Sequence, residues 1–256
     1  MTPAARIALG RVILGLVLLT IWEIAGRRLG TGFVAGPSAV AERLLQIIRT
    51  GEIFSQTLAT AQATGLGFLI GTAAGIALPL ALRLSGRATR AIEPFVMASM
   101  GIPIFALAPL LILWFGINLT PKVVITAAMV FYIIFVASFA GIRAVDRRLV
   151  AMARIVGARD WAIMREIHGH AMQPYLFTGL KIALPRALSA TIVGEFLVAD
   201  RGLGFYIENA RQQADTVGVF TGVVVVTLLV LGLDKLLQRI EARALRWRPV
   251  DRDMMA

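Results

Sequence analysis

ARIVGARDWAIMREIHGHA, residues Ala153–Ala171, places Arg154, Arg159, Asp160, Arg165 and Glu166 in one short stretch between two long apolar regions. The chain around it has 256 residues, 58% apolar and only 16% charged. An ordinary soluble domain is about 25% charged. Several runs on either side of the stretch exceed the roughly 18 to 20 residues that cross a bilayer core as helix. Residues 153–171 therefore mark where the chain leaves the apolar phase, and the chain reads as an all-α integral membrane protein.

Working outward, we count six spans, at about residues 8–26, 57–82, 93–115, 121–142, 174–198 and 216–234. Four segments follow: 1–35, an N-terminal tail and first transmembrane helix; 36–56, an external amphipathic segment; 57–238, the transmembrane core with its central loop 143–173; and 239–256, a charged tail. In the second segment Pro37 and Ser38 open a short helix, with Val40, Leu44, Leu45, Ile47 and Ile48 toward one side. Lys and Arg in the connections set orientation. Seventeen fall on the side of the termini and central loop and seven on the other, four of these in the first external segment. Both termini and residues 143–173 are thus expected in the cytoplasm.

The net charge of +11 is read as this orientation signal and not as a nucleic-acid surface. With no cysteine, disulfides and thiolate chemistry are excluded. No small-residue cleavage site follows the first apolar run, so it is expected to stay as an uncleaved span.

Within the spans, Gly67, Gly71 and Gly75 recur every four residues, a small-residue face that lets helices approach closely in lipid, within or between subunits. Pro103 and Pro109 are expected to break the third span. Freed backbone at membrane depth must be covered by protein or water, so Pro103 and Phe105 are candidate pathway residues, or a packing kink. Phe131 and Tyr132, with Phe135, line a pathway or pack. Glu195 is an intramembrane carboxylate, by default a functional candidate, for a gate, a substrate path or a structural pair; Glu23 with Arg27 reads as interfacial pairing. His168 and His170 stand at i, i+2 with no further ligand set, so no metal is expected. No phosphate-binding G-x-x-x-x-G-K-[ST] occurs, and no catalytic set is apparent.

The central loop reads as short amphipathic helices broken at Gly157, apolar residues toward the spans and basic ones outward. It could anchor at a lipid surface or dock a soluble partner. VDRRLVAMARIVGARDWAIMREIHGHAMQPYLFTGLKIALPRAL, residues 145–188, resembles the cytoplasmic EAA-type loop of bacterial ABC importer permeases. GPSAV, APLLILWFGI, TGLKIAL, GLGFYI and LLVLGLDKLLQRIEARALRWRP, in that order between about residues 36 and 249, resemble the nitrate, sulfonate and taurine branch. The chain departs from the pattern twice: Ala151 replaces the motif glutamate, and Gly169 and His170 replace Leu-Pro.

The resemblance implies a type I ABC importer permease fold with a coupling helix at about 158–167. It further implies ATPase-coupling residues Ala153, Arg154, Gly157, Ala158, Arg159, Trp161, Met164 and Ile167. Implied partners are two ABC ATPase subunits carrying ATP and Mg, a second permease subunit expected to be identical, an external substrate-binding protein and membrane lipid. No cofactor, no enzymatic activity and no nucleic-acid partner are implied for this chain, which is expected in the bacterial inner (plasma) membrane. The substrate implied is a small anion such as a sulfonate or nitrate, with a vitamin precursor or aromatic compound as the alternative. A secondary transporter or channel is the rival of another class. It would require ion-coupling carboxylates at mid-membrane and inverted repeats.

Overall fold

The computed structural model describes residues 3–83, 85–197 and 200–246, and it is helical, with no strand among the described residues. The helices are α1 (Pro3–Leu29), α2 (Pro37–Thr50), α3 (Glu52–Arg83), α4 (Gly86–Ser99), α5 (Ala108–Phe115), α6 (Leu119–Arg143), α7 (Arg147–Ile155), α8 (Asp160–Ala162), α9 (His170–Leu197), α10 (Leu203–Gln212) and α11 (Thr216–Ala244). A 3-10 turn, Ile104–Leu107, leads into α5, and wide π turns, Ile163–Gly169, join α8 to α9. The chain divides into two units, residues 1–60 with 199–228 and residues 61–198 with 229–256.

In the first unit, α1 exposes apolar side chains all round, including Val12, Leu16, Leu19 and Ile21. A helix hydrophobic on every side faces lipid or a core. Helix α2 begins at Gly36 with no side-chain cap of its own. Glu23 of α1 supplies one: its carboxylate accepts from the Ser38 N–H (3.1 Å) and hydroxyl (2.8 Å), and also from Arg27 Nε (2.8 Å). The expected Glu23–Arg27 pair is present, with a cap added. Val40 and Ile47 are buried while Leu45 and Ile48 are exposed, so the expected apolar face of α2 is narrower. Gly202 opens α10 at φ +126°, its N–H held by Gln56 Oε1 (2.6 Å), and the Leu203 N–H is held by Thr60 Oγ1 (2.7 Å). Asp215 caps α11 through the Gly218 N–H (3.0 Å) and pairs with Arg43 (3.1 Å).

In the second unit, α6 and α9 run antiparallel. Gly141 approaches Met172, Gly179 approaches Ala137, and Gly194 approaches Lys122. Helix α3 lies parallel to α6 along the predicted glycine face. A Cβ on Gly67 would fall 2.5 Å from the Thr126 Cβ, and one on Gly75 would fall 2.8 Å from the Ile134 Cβ; on Gly71 it would meet the Ala127 carbonyl. The close pair is therefore within the chain. Because α3 and α6 are parallel, the segment between them must cross back. It does so as α4 and the Ile104–Phe115 segment, bent by 80°. Among the described residues, five further helices are long and apolar enough to cross a bilayer, giving up to six.

Two expectations are corrected here. Pro103 precedes the bend as predicted, but Pro109 sits at the start of α5, where its missing N–H costs nothing. The helix that carries the fifth span runs beyond the expected 174–198 on its N-terminal side, from Asp160, and holds Pro174 and Pro185 inside it. Val198 and the tail beyond residue 246 lie outside the described residues.

Candidate coupling loop and buried polar site

Residues 143–173 build two helical pieces around one turn. Asp146 opens α7, its Oδ1 accepting from the Arg148 N–H (2.8 Å). At the other end Gly157 takes φ +80°, the left-handed region that favours glycine. The Gly157 N–H bonds the Arg154 carbonyl (3.0 Å), and the Ala158 N–H reaches back to the Ala153 carbonyl (2.9 Å). This paired 5→2 and 6→1 pattern satisfies the orphan carbonyls at the helix end. The sequence-predicted residues Ala153, Arg154, Gly157 and Ala158 thus make one local device.

Arg159 then sits extended at the entry to α8, its carbonyl accepting from the Ile163 N–H (3.1 Å), and Arg154 reaches Asp160 at 3.5 Å. Both of these side chains are largely exposed, so the pair contributes little. Met164 is half-buried, with its sulfur 3.6 Å from Arg83 Nη1, and Ile167 is also half-buried.

The expectation that the loop's apolar residues face the spans holds for Ile163, which is 1% exposed, and for half-buried Met164, but fails for Ile155, 84% exposed, Val156, 82%, and Trp161, 72%. The chain reverses at Gly157 with Ile155 and Val156 outward, and it rejoins the bundle through Ala162 and Ile163. The loop exposes Ile155 and Val156 just before the turn and Trp161 just after it, and exposed apolar groupings mark interaction surfaces.

The candidate pathway residues are not gathered into one chamber. Phe131 stacks along α6, its ring 5.2 Å from Tyr132 and 5.8 Å from Phe135, and Phe135 stacks on Phe139 at 5.5 Å. Phe105 packs against the Ala108, Leu111, Ile125 and Ala190 cluster, and Pro103 is exposed at the bend. Glu195 is 1% exposed on α9, beside the position where Gly194 meets Lys122. Lys181 of α9 is 2.5 Å from Glu241 of α11, so it is committed to an ion pair. His168 is buried, while His170 Nδ1 lies 3.0 Å from the Glu166 carbonyl.

Sequence reasoning missed a buried polar seam. Thr191 Oγ1 lies 3.0 Å from Thr64 Oγ1 and 2.8 Å from Thr126 Oγ1, tying α9, α3 and α6. One turn from Thr126, Lys122 is only 4% exposed. Helical spacing held a clue: Thr64 shares the Gly67, Gly71 and Gly75 face, and Thr126 lies on the face of α6 that meets it. Interhelical hydroxyl bonds of this kind act as glue in lipid.

This helical plan has matches among known proteins. A family model described as binding-protein-dependent transport system inner membrane component matches residues 67–246. The formylaminopyrimidine transport permease protein of Halalkalibacterium halodurans is 31% identical over 94% of this chain and 96% of its own length. The riboflavin transport system permease protein of Chloroflexus aurantiacus is 35% identical over 94% and 90%. The putative aliphatic sulfonates transport permease protein of Bacillus subtilis is 27% identical over 93% and 87%. Among solved structures, a bacterial ABC transporter involved in the import of the acidic polysaccharide alginate aligns over 94% of this chain and 95% of its own. Its TM-score is 0.67 at 15% identity, a likeness of fold. The chain therefore belongs to the binding-protein-dependent transport system inner membrane components, as an ABC importer permease of the type I fold related to the aliphatic sulfonate permeases.

Proposed function

We propose that this chain is the membrane-spanning subunit that passes a small solute inward from an external binding protein, powered by two separate ATPase subunits. The observation that carries the reading is the exposed Ile155, Val156 and Trp161 set, held out by the Gly157 turn. These side chains are too apolar for a solvent-facing loop and suit a groove on a soluble partner. Residues Ala153, Arg154, Gly157, Ala158, Arg159, Trp161, Met164 and Ile167 form the contact in this reading. ATP and Mg stay on the partner, since this sequence has no phosphate-binding loop. Closure of two ATPases draws two such loops together and rocks the spans of two permease copies, while both termini stay on the cytoplasmic side. Pro103, Phe105, Phe131, Tyr132 and Glu195 stand as pathway candidates.

The transported solute in the first reading is a small anion such as a sulfonate or nitrate. Two observations favour a second reading, a heteroaromatic vitamin precursor. Lys181, which with Arg186 would have suited an anion path, is spent on Glu241. The relatives named for formylaminopyrimidine and riboflavin are 31% and 35% identical, above the sulfonate relative at 27%.

The test is reconstitution of the chain with its ATPase and binding protein. Gly157→Arg is expected to abolish binding-protein-stimulated ATP hydrolysis while the protein still inserts, and Gly157→Asn, which tolerates the left-handed backbone, is expected to retain most of it. Unchanged coupling in Gly157→Arg, or solute transport by the chain with no ATPase, overturns the reading. The binding protein's affinities for taurine, nitrate and a pyrimidine separate the two substrate readings.

A further inference from the structure

The second unit holds a basic cavity of which the coupling reading uses only Arg154. Arg83 closes α3, Arg143 closes α6, Arg147 and Arg154 lie on α7, and His168 lies in the wide turns before α9. All five line one cavity of about 560 Å³ whose other walls are aliphatic, with no carboxylate among the lining residues.

Two of the arginines are answered locally. Arg143 pairs with Glu93 at 2.9 Å and lies 4.3 Å over the Phe139 ring; Arg154 has its weak contact to Asp160. The other two are not. Arg83 hydrogen-bonds the Met164 sulfur, a weak acceptor, and feels only at a distance the Asp160 carboxylate that Arg154 already contacts, and Arg147 has no carboxylate within ion-pair distance among the described residues. The cavity therefore carries an excess of two positive charges. His168 supplies a second, independent sign. It is only 6% exposed, and neither ring nitrogen has a hydrogen-bond partner; the Ile142 backbone lies near but completes no well-formed bond. A buried polar group left unmade is costly, so the cavity floor holds an unspent donor beneath two unspent guanidinium forks. Guanidinium matches phosphate oxygens bidentately.

The cavity also sits where α3 and α6 end, the level at which spans leave the hydrocarbon. Basic pockets between spans at that depth suit anionic headgroups, and the aliphatic walls suit a glycerol backbone better than a hydrated ion. We propose that this cavity binds a phosphate group, that of an anionic phospholipid headgroup, with free phosphate as the other source of the same chemistry.

The full chain in detergent tests this by native mass spectrometry with added phosphatidylglycerol or phosphatidylcholine. A parallel arm titrates inorganic phosphate against chloride at matched ionic strength and reads thermal unfolding. Wild type is expected to retain phosphatidylglycerol preferentially. Arg147→Gln, a substitution at an exposed position that leaves folding intact, should weaken retention about fivefold, and Arg83→Gln with Arg147→Gln about thirtyfold, the effect of one and two basic residues at a charged surface. Arg87→Gln with Arg90→Gln, which removes two exposed charges of α4 outside the cavity, should match wild type. Stabilisation by inorganic phosphate that the cavity variants lose, with no lipid preference, would keep the phosphate site and assign it to the free ion. Equal retention in all proteins with no phosphate effect, or equal losses in cavity and control variants, would overturn the proposal.

Discussion

Gly157 carries the loop through its backbone alone. No neighbouring atom lies within 4 Å of where a Cβ would stand, so the position demands glycine for its φ of +80° and not for space. Gly157→Ala should therefore cost only about 1 to 2 kcal/mol, the strain of a left-handed L-residue, seen as a small fall in thermal unfolding temperature in detergent. A fall as large as that of a core cavity would mean that the residue is packed. Glu23 acts through reach. Its pairing with Arg27 was legible, because i, i+4 spacing is local, but its cap on α2 was not: Ser38 is fifteen residues away and meets it only through the Gly26–Gly36 approach of the two helices. Glu23→Ala should destabilise by about 1 kcal/mol, the usual loss of an N-cap, while Arg27→Ala, which leaves the cap in place, should do less.

At the scale of elements, the α3–α6 pair rests on absent side chains. Gly71 lies against the Ala127 carbonyl and the Val130 Cβ, so Gly71→Leu forces the helices apart. Overpacking of this kind costs about 1 to 3 kcal/mol or more; we expect loss of the monodisperse peak in size-exclusion chromatography, whereas Gly65→Leu, with open space around it, should be tolerated. The hydroxyl seam is weaker. Thr191→Val removes both interhelical bonds and should cost about 1 kcal/mol, at an average of about 0.6 kcal/mol for each such bond in a membrane. Periodicity exposed the glycine face because spacing along one helix is enough to define it. It did not expose the seam, since three threonines on three helices acquire meaning only when the helices meet. Pro174 and Pro185 lie inside α9, because neighbouring helices tolerate proline within a span. The exposed Ile155, Val156 and Trp161 escaped because amphipathic patterning assumes that apolar residues face the chain's own core.

For the whole molecule, the packing directions and the charge distribution point the same way. With α3 and α6 parallel and α9 antiparallel to them, Arg83, Arg143 and His168 gather at one end of the second unit, and Lys122 and Glu195 at the other. The first end also carries the Arg-rich loop, the side that the Lys/Arg rule assigns to the cytoplasm. Because the chain has no cysteine, this topology is open to test without background. Ile117, between α5 and α6, is 71% exposed, and Val156 is 82% exposed, so a cysteine at either site is accessible to a reagent on its own side of the membrane. In intact cells a membrane-impermeant maleimide should label Ile117→Cys and spare Val156→Cys; disrupting the membrane should expose the latter. Co-expression of the ATPase subunits should then slow labelling at Val156 and leave Ile117 unchanged, because docking buries the loop alone. Labelling of Val156→Cys in intact cells would invert the molecule and remove the loop from the reach of any cytoplasmic ATPase.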